Sequence, residues 1–397
     1  MFVPDPNAPL PNLDDLPVSC GCRQLFPTSV LAFDSTDPTG HFEISCAPPG
    51  PISLVVQTGK WRRQYDGIVV TANQTNTVPM LTLPANSSQG SLPNIAISTG
   101  AADSLECLPF RVGVSASEYV MGSATGGHIH IYTGHGGAVT AQGSAESDQT
   151  LWDSQADLNQ HDVVLLSCEG QETTGGNPGT PMNSTFQTYL MDYVNAGGRA
   201  FASHFHYAWF NTGPFNTAPN QLATWITGAQ QLDDTASFPA DIDTTLSGGA
   251  VFTGGLALEA WLDGVGALAN NQLPIWFARY NVRALLEAQS TEWIHLDDSV
   301  SLAPSATQYF SADTPVGASV PCGRIDYSDL HVSGGPGVNA PGVPPDYPAG
   351  GPGIVPDGCA SHPLTPQEDA LEFMLFELTS CLPDLVPVGE PPPPSMP

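Results

Sequence analysis

HDVVLLSCEG (161–170), STFQTYLMDYVNAGG (184–198) and RAFASHFHYAWF (199–210) decide the fold. The first holds four uninterrupted apolar residues, Val163 to Leu166, the mark of a strand buried on both faces. In the second, Phe186, Tyr189, Leu190, Tyr193 and Val194 recur at helical spacing, and Gly197-Gly198 closes the helix. The third reads as the next strand. Strand, helix, strand implies a parallel sheet with helices on both faces.

The same alternation extends in both directions. PNIAISTG (93–100) is a strand ending in Gly. ADSLECLPFRVG (102–113) is a short helix weakened by Pro109, and GHIHIYTGHGG (127–137) is a strand and loop. CGRIDYSDLHV (322–332) is a late strand. In LTPQEDALEFMLFELTSCL (364–382), Thr365 is an N-cap, Pro366 the first helical residue and Glu368 the partner in a capping box. Leu371, Met374, Leu375 and Leu378 form the apolar face of that helix. Residues 93–386 are therefore expected to form an α/β, flavodoxin-like, doubly wound parallel sheet. The span 211–321, with Trp225, Trp261, Trp276 and Trp293, reads as a large insertion or cap. Residues 333–358 read as Gly/Pro loop and 387–397 as a Pro-rich tail.

Residues 1–92 differ in kind. SVLAFDS (29–35), HFEISC (41–46), ISLVVQTG (52–59), DGIVVTA (66–72) and VPMLTLPA (78–85) are short β-type runs bounded by Pro, Gly, Asn or Asp. DPTG (37–40) is a turn. An all-β sandwich is expected here. Lys60-Trp61-Arg62-Arg63 is the one basic cluster, suited to docking this part on an acidic neighbour or to gripping an anionic or sugar ligand.

The chain carries 39 Asp and Glu against nine Lys and Arg, a formal net charge of −30. That field repels nucleic acid and anionic membranes. There is no EF-hand loop, and no apolar run long enough for a transmembrane helix. The start, MFVPDPNAPLPN, lacks a signal peptide's basic and apolar regions, so a trimmed or miscalled start of a secreted or envelope-exposed precursor is expected. The eight cysteines are Cys20, Cys22, Cys46, Cys107, Cys168, Cys322, Cys359 and Cys381. Their scatter points to disulfides in an oxidising compartment and not to a Cys₄ zinc site. Cys359 pairs plausibly with Cys381 or Cys322, and Cys168 is expected in a disulfide.

Ligand-type side chains gather at the carboxyl ends of the predicted strands, where open α/β sheets carry their sites. They are Cys168 and Glu169, His204 and His206, and Asp329 and His331, with His128 and His130 on a further strand. His-x-His on a strand puts two imidazoles on one face, about 7 Å apart. His204, His206 and His331 are thus candidate ligands of a divalent transition metal, Zn or similar, with Glu169 or Asp329 as general base. The alternative is that these histidines are packed and hydrogen-bonded in the interior.

VPDPNAPLP (3–11), TDPTGHFEI (36–44) and PPGPISLVVQTGKWRR (48–63) resemble the carboxypeptidase regulatory-like, transthyretin-type β-sandwich. That resemblance implies a structural or adhesive module without activity of its own. HDVVLLSCEG, YVNAGGRAFASHFHYAW (193–209) and TPVGASVPCGRIDYSDLHV (314–332) resemble the class I glutamine amidotransferase-like fold in its trehalose-utilisation (ThuA-like) branch. This implies that His204 occupies the branch's His position, with Asp329 and His331 at the late strand end. The order of GKWRR (59–63), SCEG (167–170) and YSDLHV (327–332) is similar to that in δ-proteobacterial secreted proteins pairing both modules. An amidotransferase needs a Gly-x-Cys-x-Gly elbow, and Ala202-Ser203-His204 stands in its place, so glutamine hydrolysis is not expected.

Three readings follow. The first is a metal-assisted hydrolase or lyase acting on a saccharide or similar polar small molecule. The second is a non-catalytic extracellular glycan- or protein-binding protein. The third makes Cys168, or Ser203 with His206 as base, a nucleophile.

Overall fold

The computed structural model describes residues 1–397 except 15, 21, 138, 141–144, 173–182, 301–306, 332–353, 356–358, 360–362 and 381–397. The first part is a five-stranded antiparallel sheet of β1 (Phe2–Pro4), β2 (Val30–Phe33), β3 (Gly50–Thr58), β4 (Trp61–Val70) and β5 (Gly90–Ser91), in the order β2-β1-β3-β4-β5. Val3, Ala32 and Leu54 make a small core, covered by Phe42, Ile44, Ala47 and Leu81. Residues 41–46 and 78–85, expected as strands, lie outside any ladder. Their alternation reports which side chains face the sheet, a pattern that a covering loop shares with a paired strand.

The remaining strands are β6 (Ile95–Thr99), β7 (Tyr119–Met121), β8 (Ile129–Thr133), β9 (Val139–Thr140), β10 (Val163–Leu166), β11 (Arg199–Ser203), β12 (Ala223–Trp225), β13 (Ser237–Ile242), β14 (Leu273–Trp276), β15 (Val282–Leu285), β16 (Thr291–Leu296), β17 (Thr307–Thr314), β18 (Gly323–Ser328) and β19 (Ile354–Val355). Ten of them form one sheet, β14-β13-β16-β17-β18-β11-β10-β6-β8-β7. From β18 to β7 every neighbour is parallel; from β14 to β18 every neighbour is antiparallel. The span 211–321 therefore widens the sheet with four antiparallel strands, β13, β14, β16 and β17, where the sequence pointed to an insertion or cap. Two short pairs, β12-β15 and β9-β19, stand outside it. Apart from β19 and Cys359, the loop expected over 333–358 and the tail 387–397 fall outside the described residues.

Helices are α1 (Cys107–Arg111), α2 (Gln149–Trp152), α3 (Gln155–Leu158), α4 (Ser184–Asn195), α5 (Thr253–Val265) and α6 (Pro366–Thr379). Ile95, Ile97, Val163, Leu165 and Phe201 pack with Leu258 and Leu262 of α5 and Leu371 and Met374 of α6. Ala96, Val164, Leu166 and Ala200 pack with Leu190, Tyr193 and Val194 of α4 on the other face. Both faces of the parallel strands are thus buried, which their unbroken apolar runs required. The capping box of α6 forms as read: Thr365 accepts from the Glu368 N–H, and Glu368 accepts from the Thr365 N–H.

The first part is fastened to the second. Lys60, the sole lysine, pairs with Asp162 at 2.7 Å. Trp61 is buried to 1% exposure; its indole donates to Thr379 Oγ1 at 3.2 Å and its ring meets Phe376 edge-on. Gly59, at φ +50°, lets the chain pass α6, where a Cβ would stand 2.0 Å from the Thr379 carbonyl. Lys60 and Trp61 of the basic cluster thus dock the first part, whereas Arg62 and Arg63 donate to Pro11 and Thr82 within it. Cys20–Cys322 and Cys107–Cys359 are disulfides, so neither pairing expected for Cys359 forms. The side chains of Cys22 and Cys381 fall outside the described residues. No helix among the described residues is long and apolar enough to cross a membrane.

Candidate metal centre

With the three-residue edge strand β7 set aside, the parallel strands β6, β8, β10, β11 and β18 lie, in chain order, across the sheet as second, first, third, fourth, fifth. Order reverses between β6 and β10, and the crevice at such a switch point is where open α/β sheets place ligands. The backbone closes tightly there: a Cβ on Gly100 would stand 2.2 Å from the Cys168 carbonyl.

Cys168, two residues past β10, is a thiol and not half of a disulfide, contrary to expectation. Its Sγ lies 3.3 Å from His204 Nδ1. His204 leaves β11 at φ +41°, a backbone region costing about 1–3 kcal/mol for a residue other than Gly. It opens a 3₁₀ helix, His204–Trp209, in place of the continued strand expected over 199–210. His331 comes from beyond β18, its ring centroid 5.1 Å from that of His204. Ligand atoms of Cys168, His204 and His331 all lie within 4.8 Å of one another, and the three residues are 0%, 2% and 3% exposed.

Each ring has a defined second contact. His331 Nδ1 lies 2.9 Å from the Ala102 carbonyl, so it carries the proton and leaves Nε2 as a lone pair. Nε2 is buried with no hydrogen-bond partner among the described residues. His204 Nε2 has no partner within hydrogen-bonding distance either, yet the Asn281 amide lies close enough to raise the affinity of the ring for its proton. Asn281 Nδ2 donates to the carbonyls of Ile226 (2.6 Å) and Gly228 (2.9 Å), and its Oδ1 is buried without a hydrogen-bond partner among the described residues. Burial, then the neighbouring His331 and Arg279, hold His204 well below an ordinary histidine. Burial first and Arg279 second take His331 down to about 3. Burial pushes the Cys168 thiol up to about 12. Thiol and imidazoles are all neutral here, as a metal-free ligand set would be.

The other expected site residues lie elsewhere. His206 is a strut: Nε2 meets the Ser167 carbonyl at 2.7 Å and Nδ1 accepts from Trp209 Nε1 at 3.2 Å. The strand spacing that put it beside His204 does not apply at three residues per turn. Asp329 is fully buried and faces backbone: Oδ2 accepts from the N–H groups of Asn281 (2.8 Å) and Val282 (3.2 Å). Tyr327 Oη lies 2.7 Å from Asp329 Oδ1 and 2.8 Å from the His204 carbonyl. One hydroxyl proton serves only one acceptor, so a protonated Asp329 frees Tyr327 to hold His204. Burial raises Asp329 to about 7 against the hydrogen bonds from Tyr327, Val282 and Asn281. Glu169 turns from Cys168 toward Asp148 beside Gly134, and burial followed by that second carboxyl raises its proton affinity. Neither carboxylate expected as a base faces the cluster.

Ser203 donates to Asp103 Oδ2 at 2.7 Å and does not meet His206. His128 pairs with Glu118 at 2.6 Å, and His130 Nδ1 with the Gly122 carbonyl at 2.8 Å, so neither enters the centre. Sequence reading missed Ala102 and Asn281, which orient the rings, and mistook Cys168; its place at a strand end was the available signal. A second group, Asp243 just past β13 with Glu292 and His295 of β16, is half-buried. Asp243, 3.1 Å from His295 Nδ1, raises that histidine to about 9, and an imidazolium tied to carboxylates accounts for it. Two grooves of about 510 and 1030 Å³ line the first part and contain no residue of the centre.

The chain matches no protein-family model, no curated protein and no solved structure. Fold and site define a two-part protein, an antiparallel β-sheet joined to a larger mixed α/β sheet, with a buried Cys/His cluster able to coordinate a metal.

Proposed function

We propose that this is a transition-metal-binding protein whose ion is held by Cys168, His204 and His331. The observation that carries the reading is His331: its Nδ1 is committed to a carbonyl and its Nε2 lone pair is buried, unpartnered and turned to a thiol and a second imidazole. Metal-bound histidines are oriented in this manner. Ligands at about 2.0–2.3 Å from one ion stand up to about 4 Å from each other, so closing by about 1 Å completes the set. A thiolate–imidazolium nucleophile is disfavoured, because the raised thiol and lowered imidazole keep the proton on sulfur.

Hydrolase or lyase chemistry on a saccharide-like substrate needs a water on the metal and a base beside it. Glu169 and Asp329 turn elsewhere, so metal binding is the better supported part of that reading. Non-catalytic glycan or protein binding is the alternative. Secretion is supported by the Cys20–Cys322 and Cys107–Cys359 disulfides. The ThuA-like assignment draws support from the order of β8, β6, β10, β11 and β18, which is that of flavodoxin-like sheets once the edge strand β7 is set aside. The transthyretin-type assignment draws it from the antiparallel first part.

Metal analysis of the purified full chain tests the proposal. One transition-metal ion per chain is expected, with a lower melting temperature on chelation and loss of the ion in the His204→Ala/His331→Ala double variant. Retention of the ion by that variant, or no ion and no effect of chelation, would overturn it.

A further inference from the structure

The inference rests on the metal-binding reading and concerns which metal the centre serves. We propose that the Cys168–His204–His331 centre is a copper site working by one-electron chemistry. The donors are one thiolate and two imidazoles, and no carboxylate belongs to the group. Soft thiolate selects copper, zinc or iron–sulfur clusters, and a trigonal His₂Cys set is characteristic of electron-transfer copper. Enclosure and ligand number then separate copper from zinc, whose closed sites take four protein ligands where three are grouped here among the described residues. Catalytic zinc uses its fourth position for water, whereas these three residues are at most 3% exposed. Phe205 closes one side, its ring centroid 4.1 Å from that of His204.

The ligands are fixed in advance: His331 by the Ala102 carbonyl, and the His204 neighbour Asn281 by Ile226, Gly228 and Asp329. Once closed by about 1 Å on the ion, a set oriented in this way changes little on electron transfer. Copper also oxidises thiols by pairing them, and the other free cysteine among the described residues, Cys46, is exposed in the first part while Cys168 is buried.

Loading replaces the Cys168 S–H bond by a Cu–S bond, and the proton passes to solvent. In turnover one electron from a small reductant such as ascorbate converts Cu(II) to Cu(I), and an oxidant such as ferricyanide removes it. No bond to the protein breaks.

The test uses the full metal-free chain, loaded with Cu(I) from a competing chelator and then oxidised with ferricyanide. The expected result is one copper per chain and an intense visible thiolate-to-Cu(II) charge-transfer band that ascorbate bleaches and ferricyanide restores. Cys168→Ser should lose the band, and Cys46→Ser should keep it. Circular dichroism checks the fold of both, and the wild-type band stands as evidence by itself if Cys168→Ser does not fold. Bound copper without the band, a band that Cys168→Ser retains, or one that Cys46→Ser loses would overturn the copper assignment. One zinc or cobalt per chain that copper does not displace would overturn it too, leaving the metal-binding reading intact. Binding of no metal at all removes both.

Discussion

At the scale of single residues, histidine chemistry depends on what each ring nitrogen meets. His204, His206 and His331 are equally plausible ligands by residue type, yet His206 has both nitrogens engaged by Ser167 and Trp209. We expect His206→Asn to keep the metal while lowering stability by about 1–3 kcal/mol, the cost of leaving buried groups unpaired. Metal content and urea unfolding on the same preparation check both halves, and loss of the ion in this variant would contradict the role assigned to His206. His161 gives a pH prediction. It is buried against His130 and Tyr132, and burial first, His130 second, lower it to about 3. Its folded state resists protonation more than its unfolded state does. Its contribution to stability is therefore complete above about pH 6.5 and is lost as pH falls toward about 3. Unfolding free energy should fall there by up to about 1.4 kcal/mol per pH unit from this group. His161→Gln should flatten the slope; an unchanged slope would refute the assignment.

At the scale of elements, the legible features are those written in local rules. Helix α6 begins where Thr365, Pro366 and Glu368 place it, and its buried Leu371, Met374, Leu375 and Leu378 are the residues its periodicity marks. We expect Thr365→Ala to cost about 1 kcal/mol in chemical denaturation, since it frees an N-terminal N–H. Glu368 is also bound to Arg111 of α1, so replacing Glu368 should cost more than replacing Thr365. Element ends were less legible. The strand read over 199–210 stops at Ser203, because the chain turns at His204 through a conformation that no local propensity announces. Segments 41–46 and 78–85 carry strand-like alternation but cover a sheet instead of joining one.

At the scale of the molecule, the first part is held by a few residues. Trp61 sits in the same apolar cluster as Leu371, Met374 and Leu375 of α6, and Lys60 reaches Asp162 beside β10. We expect Trp61→Ala to cost about 3–5 kcal/mol, as for other buried aromatic truncations, and to split a single thermal transition into two. Calorimetry checks this: one transition at an unchanged temperature would show that the contact does not couple the parts. The widening of the sheet by β13, β14, β16 and β17 belongs to this scale as well. Within it β13 pairs antiparallel with β14 and β16 across sequence distances that no local window spans.

The two kinds of sheet, helices α4 and α6, and the gathering of ligand-type side chains at the strand ends were legible in the amino-acid order. Those features follow from periodicity, capping and the direction of parallel strands, all of which are local. Tertiary structure alone decided which of those side chains meet. Cys168 and His204 are 36 residues apart, and His331 reaches the Ala102 carbonyl across 229. Adjacent Cys168 and Glu169 part to opposite sides because neighbours on extended chain point oppositely. A metal ligand is a lone pair aimed at a point, and where it aims is set by packing and by the hydrogen bond on the other side of the ring.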